Sequence, residues 1–119
     1  MKELVLTRNY FWEMLNFKSD IARNLFIWMC RHVEYNTGYV NLSSDIRKEI
    51  SEELDIERNT ITSALSILKK SNIISGEKNK FQINPELFWK GNHELREDLL
   101  KTDEIKRKFN LYERGSYTI

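Results

Sequence analysis

ERNTITSALSILKKSNII, Glu57 to Ile74, is the stretch whose reading decides the fold. Its apolar residues Ile61, Leu65 and Leu68 recur at steps of four and three, one face of an α-helix, and Ile73 follows. Immediately upstream, Ile46, Ile50 and Leu54 recur at steps of four and trace a second helical face, with Ile56 just beyond it. Only a short polar turn, Asp55 to Glu57, lies between the two. Helices joined this tightly cross steeply, as in a helix-turn-helix, and do not form a long antiparallel pair. Downstream come Ile73-Ile74, the turn-like GEKNK and then Phe81-Gln82-Ile83, which reads as a small β-hairpin. Helix, turn, helix, hairpin is the order of a winged helix-turn-helix, so the fold class is mainly α with a small hairpin.

The remainder of the chain fits one such domain across residues 1–119, with a core over 19–92 and a C-terminal helix over about 93–109. A length of 119 residues, 40% of them apolar, suffices for one core and not for two. No apolar run reaches the length of a membrane span. MKELVLTRNYFW at the N-terminus lacks the long apolar run and small-residue site of a secretory signal. One cysteine, Cys30, forms no internal disulfide and fits a reducing compartment, hence the cytoplasm. It sits inside an apolar helical pattern, as a packing cysteine would.

Upstream of the helix pair, ELVLT (residues 3–7) is a candidate short strand or extended arm. Tyr10, Phe11, Trp12, Met14, Leu15 and Phe17 form an aromatic cluster expected to pack on the core. Ser19 or Asp20 caps a helix running to about Tyr35, whose wide apolar surface (Leu25, Phe26, Trp28, Met29) predicts burial on two sides. Asn36-Thr37-Gly38 ends it, and Tyr39–Leu42 alternates as a strand that could pair with the hairpin. Ser43 or Ser44 caps the first helix of the pair, with Asp45 in its first turn. Near the other end, Asn92 caps the last helix, acidic early (Glu94, Glu97, Asp98) and basic late (Lys106, Arg107, Lys108), as the helix dipole favours. The tail from Asn110 is expected to be ordered through Leu111 and Tyr112, then frayed.

The net charge of +1 hides an uneven distribution. From Ser43 to Ile56, Asp45, Glu49, Glu52, Glu53 and Asp55 outweigh Arg47 and Lys48. From Glu57 to Ile83, Arg58, Lys69, Lys70, Lys78 and Lys80 outweigh Glu57 and Glu77. The positive excess therefore lies on the second helix and hairpin, the parts that would face a phosphate backbone. On that helix, Arg58, Asn59, Thr60, Thr62, Ser63 and Ser66 stand opposite the apolar stripe. A merely solvated face would favour Glu and Lys, because serine and threonine lower helix propensity. Short polar side chains instead let a helix approach base edges and phosphates, the hydroxyls positioning it and Asn or Arg specifying the sequence. Lys78, Asn79 and Lys80 at the hairpin tip can lie on a neighbouring phosphate. Lys69 and Lys70 close the helix at its negative end and can serve either purpose.

Beyond the helix pair, FQINPELFWKGN (Phe81 to Asn92) completes a larger pattern. IRKEISEELDIERNTITSALSILKKSNII followed by this segment resembles the plasmid replication proteins of the RepL type found in Gram-positive bacteria. The likeness rests most specifically on Ile83, Asn84, Pro85, Phe88, Trp89, Lys90, Gly91 and Asn92, and spans roughly residues 20–92. It implies a cytoplasmic protein that binds double-stranded DNA at a plasmid origin, with host replication proteins as further partners. By position, Arg58, Asn59, Thr60, Thr62, Ser63 and Ser66 match the recognition helix and Lys78 to Lys80 the wing.

Three function classes remain in view. Strand-nicking initiators use a tyrosine beside a metal held by closely spaced histidines, whereas His32 and His93 are far apart. No glycine-rich phosphate loop or metal-ligand spacing is present, so neither catalysis nor a cofactor is expected. A winged-helix transcriptional repressor would use the same surface, and a protein-interaction module would use the acidic helix and the aromatics. A modest local basic surface also favours a homodimer on paired half-sites.

Overall fold

A computed structural model describes residues 4–6 and 20–111 of the chain. The structure is mainly helical, with small antiparallel sheets. Strand β1 (Leu4–Leu6) precedes helix α1 (Asp20–His32), strand β2 (Tyr39–Asn41) and helices α2 (Ser44–Leu54) and α3 (Arg58–Lys70). Strands β3 (Ile74–Glu77), β4 (Lys80–Ile83) and β5 (Phe88–Lys90) follow, then helices α4 (His93–Leu100) and α5 (Asp103–Lys108).

The helix pair forms for local reasons. Ser43 caps α2 by accepting the Ile46 N–H at 3.4 Å, covering a donor the first turn leaves unpaired. At the other end Asp55 takes a left-handed φ of 56° and gives its N–H to Ser51 O. Ile56 N also donates to Ser51 O at 3.1 Å, while the Ser51 hydroxyl donates to Ile56 O. These bonds close the turn. Ile61, Ala64, Leu65 and Leu68 of α3 are buried, the predicted stripe with one alanine added. They meet Leu25 and Met29 of α1, Ile50 of α2 and Ile74, Phe81 and Ile83 of the sheet in one core. Fully burying a side chain of this size contributes about 1.5–3 kcal/mol, so this shared core holds the helix pair more strongly than helix propensity does.

The sheet order is β2-β4-β3, so the strand before α2 does pair with the hairpin. Phe81 and Ile83 point to the core, while Tyr39 and Asn41 of β2 stand opposite Gln82 and Lys80 of β4. The hairpin is longer and its turn tighter than GEKNK suggested. Glu77 pairs with Lys80, leaving only Lys78 and Asn79 in the loop, and Lys78 supplies the positive φ of 60° that such a loop requires. Helix, short turn, helix and hairpin give a winged-helix-like arrangement.

Two boundaries and one added strand differ from expectation. Helix α1 ends at His32, not near Tyr35, because Val33–Gly38 turns into β2 with Glu34 N on Tyr39 O and Asn36 at φ 70°. β1 pairs antiparallel with β5 (Leu4↔Lys90, Leu6↔Phe88), so ELVLT does supply a strand, and Phe88–Lys90 is its partner. The single helix expected over 93–109 is two. Thr102 ends the first and caps the second, its hydroxyl donating to Leu99 O at 2.7 Å and accepting from Ile105 N at 3.3 Å. Leu95 is 45% exposed, and Ile105, Phe109 and Leu111 gather in a small separate cluster with Leu99 and Leu100. The expectations for Tyr10–Phe17, for a Ser19 cap and for the tail from Tyr112 lie outside the described residues.

The INPELFWKGN segment has a structural explanation. Asn84 is fully buried, its Nδ2 donating to Asn72 O at 3.0 Å and its Oδ1 accepting from Glu86 N at 2.9 Å. Those bonds fix the turn around Pro85, and the buried Arg96 reaches back from α4 to Pro85 O at 2.7 Å. Further on, Lys90 Nζ donates to Arg31 O at 3.0 Å, among the last carbonyls of α1. Asn36 receives the Asn92 N–H on Oδ1 at 2.7 Å, and Trp89 Nε1 donates to Asn92 O at 2.9 Å. The segment ties the end of α1 and the start of α4 to the sheet.

Candidate nucleic-acid interface

Burying Ile61, Ala64, Leu65 and Leu68 forces the opposite side of α3 into solvent. Asn59, Thr62, Ser63, Ser66 and Lys70 recur at i, i+3, i+4, i+7 and i+11 on that side, and all five are exposed. Thr60 belongs to its edge and is half-buried. Glu57 is the N-cap residue and makes no side-chain cap bond, so α3 starts without the usual Ser, Thr or Asp.

Arg58 makes contacts within the fold. Its Nη2 donates to the Ser44 hydroxyl at 2.9 Å and to Ser44 O at 3.2 Å, bracing the start of α3 against the start of α2. Nε and Nη1 of the guanidinium keep their donors for another acceptor. Lys78 and Asn79 form the wing turn and are exposed, yet the turn is tied down. Leu42 N donates to Asn79 O at 2.6 Å, and Arg47 of α2 donates from Nε to Leu42 O at 2.9 Å and from Nη2 to Lys78 O. The structure thus joins the first turns of α2 and α3 and the wing turn at one end of the domain.

Two predicted residues stand apart. Lys69, with Lys70 beside it, is exposed in the last turn of α3, roughly 16 Å of helix rise from Arg58. Lys80 lies with its Nζ 4.5 Å from the centre of the Tyr39 ring, on the outer sheet face. Lys108 of α5 approaches the same ring at 5.4 Å and donates to Gln82 Oε1 at 2.7 Å.

The DNA-contact residues read from the sequence did not include Ser44 or Arg47. Arg47 did carry a signal: it is a cation in the first turn of α2, where the helix dipole disfavours positive charge by about 0.3–1 kcal/mol. A residue kept against that cost is used for something else. The acidic residues of α2, namely Asp45, Glu49, Glu52 and Glu53, are exposed as well.

Among the described residues no three His, Cys, Asp or Glu side chains gather as a metal site, and no helix is long and apolar enough to cross a membrane. His32 Nδ1 is 2.9 Å from Trp28 O and its ring stacks on Trp28 at 3.8 Å, while His93 lies 3.7 Å from Glu97. Cys30 is half-buried beside the core, and burial pushes its thiol up to about 12, with Lys90 opposing the shift. It stays protonated at neutral pH and is a poor nucleophile.

No curated protein and no solved structure matches the chain. Over residues 9–110 it matches the family model described as Firmicute plasmid replication protein (RepL).

Proposed function

The chain belongs to the RepL family of Firmicute plasmid replication proteins, and from that premise we propose that it binds double-stranded DNA sequence-specifically at a plasmid replication origin. One observation carries the reading: the exposed row Asn59, Thr62, Ser63 and Ser66, free of acidic side chains and flanked by Arg58 and Lys70. In this reading Asn59 meets a base edge, the hydroxyls of Thr60, Thr62, Ser63 and Ser66 position the helix, and Arg58, Lys69, Lys78, Asn79 and Lys80 meet phosphates or hold the parts that do. It assigns the protein a binding role in the cytoplasm, as a homodimer that recruits host replication proteins, and no catalysis.

Selection of bound fragments from sheared plasmid DNA tests this directly. Recovered fragments should share a site inside the replication origin. Asn59→Ala should weaken binding to that site roughly 5- to 150-fold and leave binding to random duplex unchanged, as loss of a bidentate base contact does. Equal loss on both DNAs would remove Asn59 from base reading. Fragments clustered over a promoter would instead favour a transcriptional repressor on the same surface.

A further inference from the structure

Arg47 spends its guanidinium on the protein's own backbone, and we infer that it is a positioning residue that fixes where the wing lies relative to α3. The inference rests on the DNA reading above. Its Nε–H and Nη2–H go to Leu42 O and Lys78 O, carbonyls on the two sides of the junction between the wing turn and the start of α2. Leu42 N closes the same junction from the other direction through Asn79 O at 2.6 Å. Helix α2 is in turn braced to α3 by Arg58 on Ser44 at 2.9 Å. One unbroken path therefore runs from the reading helix through Ser44 and Arg47 to the lysine at the wing tip.

The need for such a path follows from the hairpin itself. Its strands are four residues each and β3 is an edge strand, so β4 alone ties the loop to the sheet. A ribbon this small twists and splays easily in water. Two donors on one rigid plane set direction as well as distance, which a lysine ammonium does not. Held this way, Lys78 meets the duplex at a fixed offset from Asn59, and the offset selects the register in which both contacts form together.

Arg47→Lys, measured in the full chain on the selected plasmid fragment and on random-sequence duplex, tests the inference. Charge is retained at position 47, so the salt slope should fall by no more than the one phosphate contact that Lys78 makes, about 0.9. Affinity for the selected fragment should fall roughly tenfold, and the Leu42 amide should exchange faster. Adding Lys78→Gln should then cost less than it does in wild type, because an unseated wing has less contact to lose. Arg47→Gln supplies the opposing case. If it lowers the salt slope by about one and Arg47→Lys binds normally, Arg47 is itself a phosphate contact and the inference falls. Unchanged Leu42 exchange in both variants would also overturn it. If wild type binds no duplex at all, the DNA reading fails, and Leu42 exchange still decides separately whether Arg47 seats the wing.

Discussion

Gly91 shows how much of this fold hangs on single positions. It has φ +136°, and a Cβ built there would sit 2.3 Å from Asn36 Oδ1 and 2.7 Å from Asn36 N. Both atoms are in use, Asn36 Oδ1 by Asn92 N at 2.7 Å and Asn36 N by Lys90 O at 2.9 Å. Gly91→Ala must therefore strain the backbone or push Asn36 off both partners. A cost of roughly 3 kcal/mol in denaturant unfolding is expected, from a strained residue and lost hydrogen bonds together. A loss below about 0.5 kcal/mol, the range of an ordinary surface change, would mean the junction adjusts freely. Cys30 gives a prediction of another kind, in pH. Burial raises its pKa from 9.0 to about 12, so the folded state holds the thiol proton that the unfolded chain releases. The unfolded state is then favoured as pH rises through the window from 9.0 to about 12, and stability falls across it. Relative to Cys30→Ala, wild type should lose up to about 1.4 kcal/mol per pH unit in that window. Parallel stability curves for the two proteins between pH 8 and 11 would contradict the shift.

At the scale of elements, the C-terminal helices show where sequence reading stops. The acidic start and basic end of residues 93–109 are real, but a break at Thr102 divides them into two helices. Periodicity alone does not locate such a break, because Thr102 acts through hydrogen bonds at a single residue. The helix pair was legible for the opposite reason: Ile50, Ile61, Leu65 and Leu68 bury one face, and burial writes a repeating pattern. Strand β5 was missed because both Phe88 and Trp89 are buried, which erases the alternation that marks a half-exposed strand. The outward row on α3 could be read as an exception to surface-helix composition. The ties of Arg47 and Arg58 could not, since they depend on which backbone oxygens the fold brings near. If Thr102 is the hinge between α4 and α5, Thr102→Ala removes a cap and should destabilise by about 1 kcal/mol. Amide exchange should quicken first at Ile105, whose N–H the threonine accepts at 3.3 Å. Ile105 protection equal to wild type would show that packing with Phe109, not the cap, holds α5.

The whole molecule carries a net charge of only +1, so general attraction to a polyanion cannot bring it to DNA. In the proposed reading, binding comes from the arrangement of charge, and that arrangement is polar. Arg58 and Lys78 project near one junction, while Asp45, Glu49, Glu52 and Glu53 are exposed on α2 and would repel a duplex approaching from their side. For a duplex partner the two signs together would orient the encounter as well as drive it. Each phosphate met by a cation contributes about −0.9 to the slope of log K against log salt on duplex DNA. With Arg58, Lys78 and one of the adjacent Lys69 and Lys70 each meeting one phosphate, a single protomer on random duplex should give a slope near −3. Two protomers on paired half-sites should roughly double it, a difference that light scattering of the complex can match to stoichiometry. Lys80 and Lys108 are drawn to the Tyr39 ring and should add little, so Lys108→Gln should leave the slope unchanged. A slope near zero for wild type would remove DNA as the partner of this surface. A slope well beyond −3 for one protomer would instead bring the outer sheet face and its two lysines into the footprint.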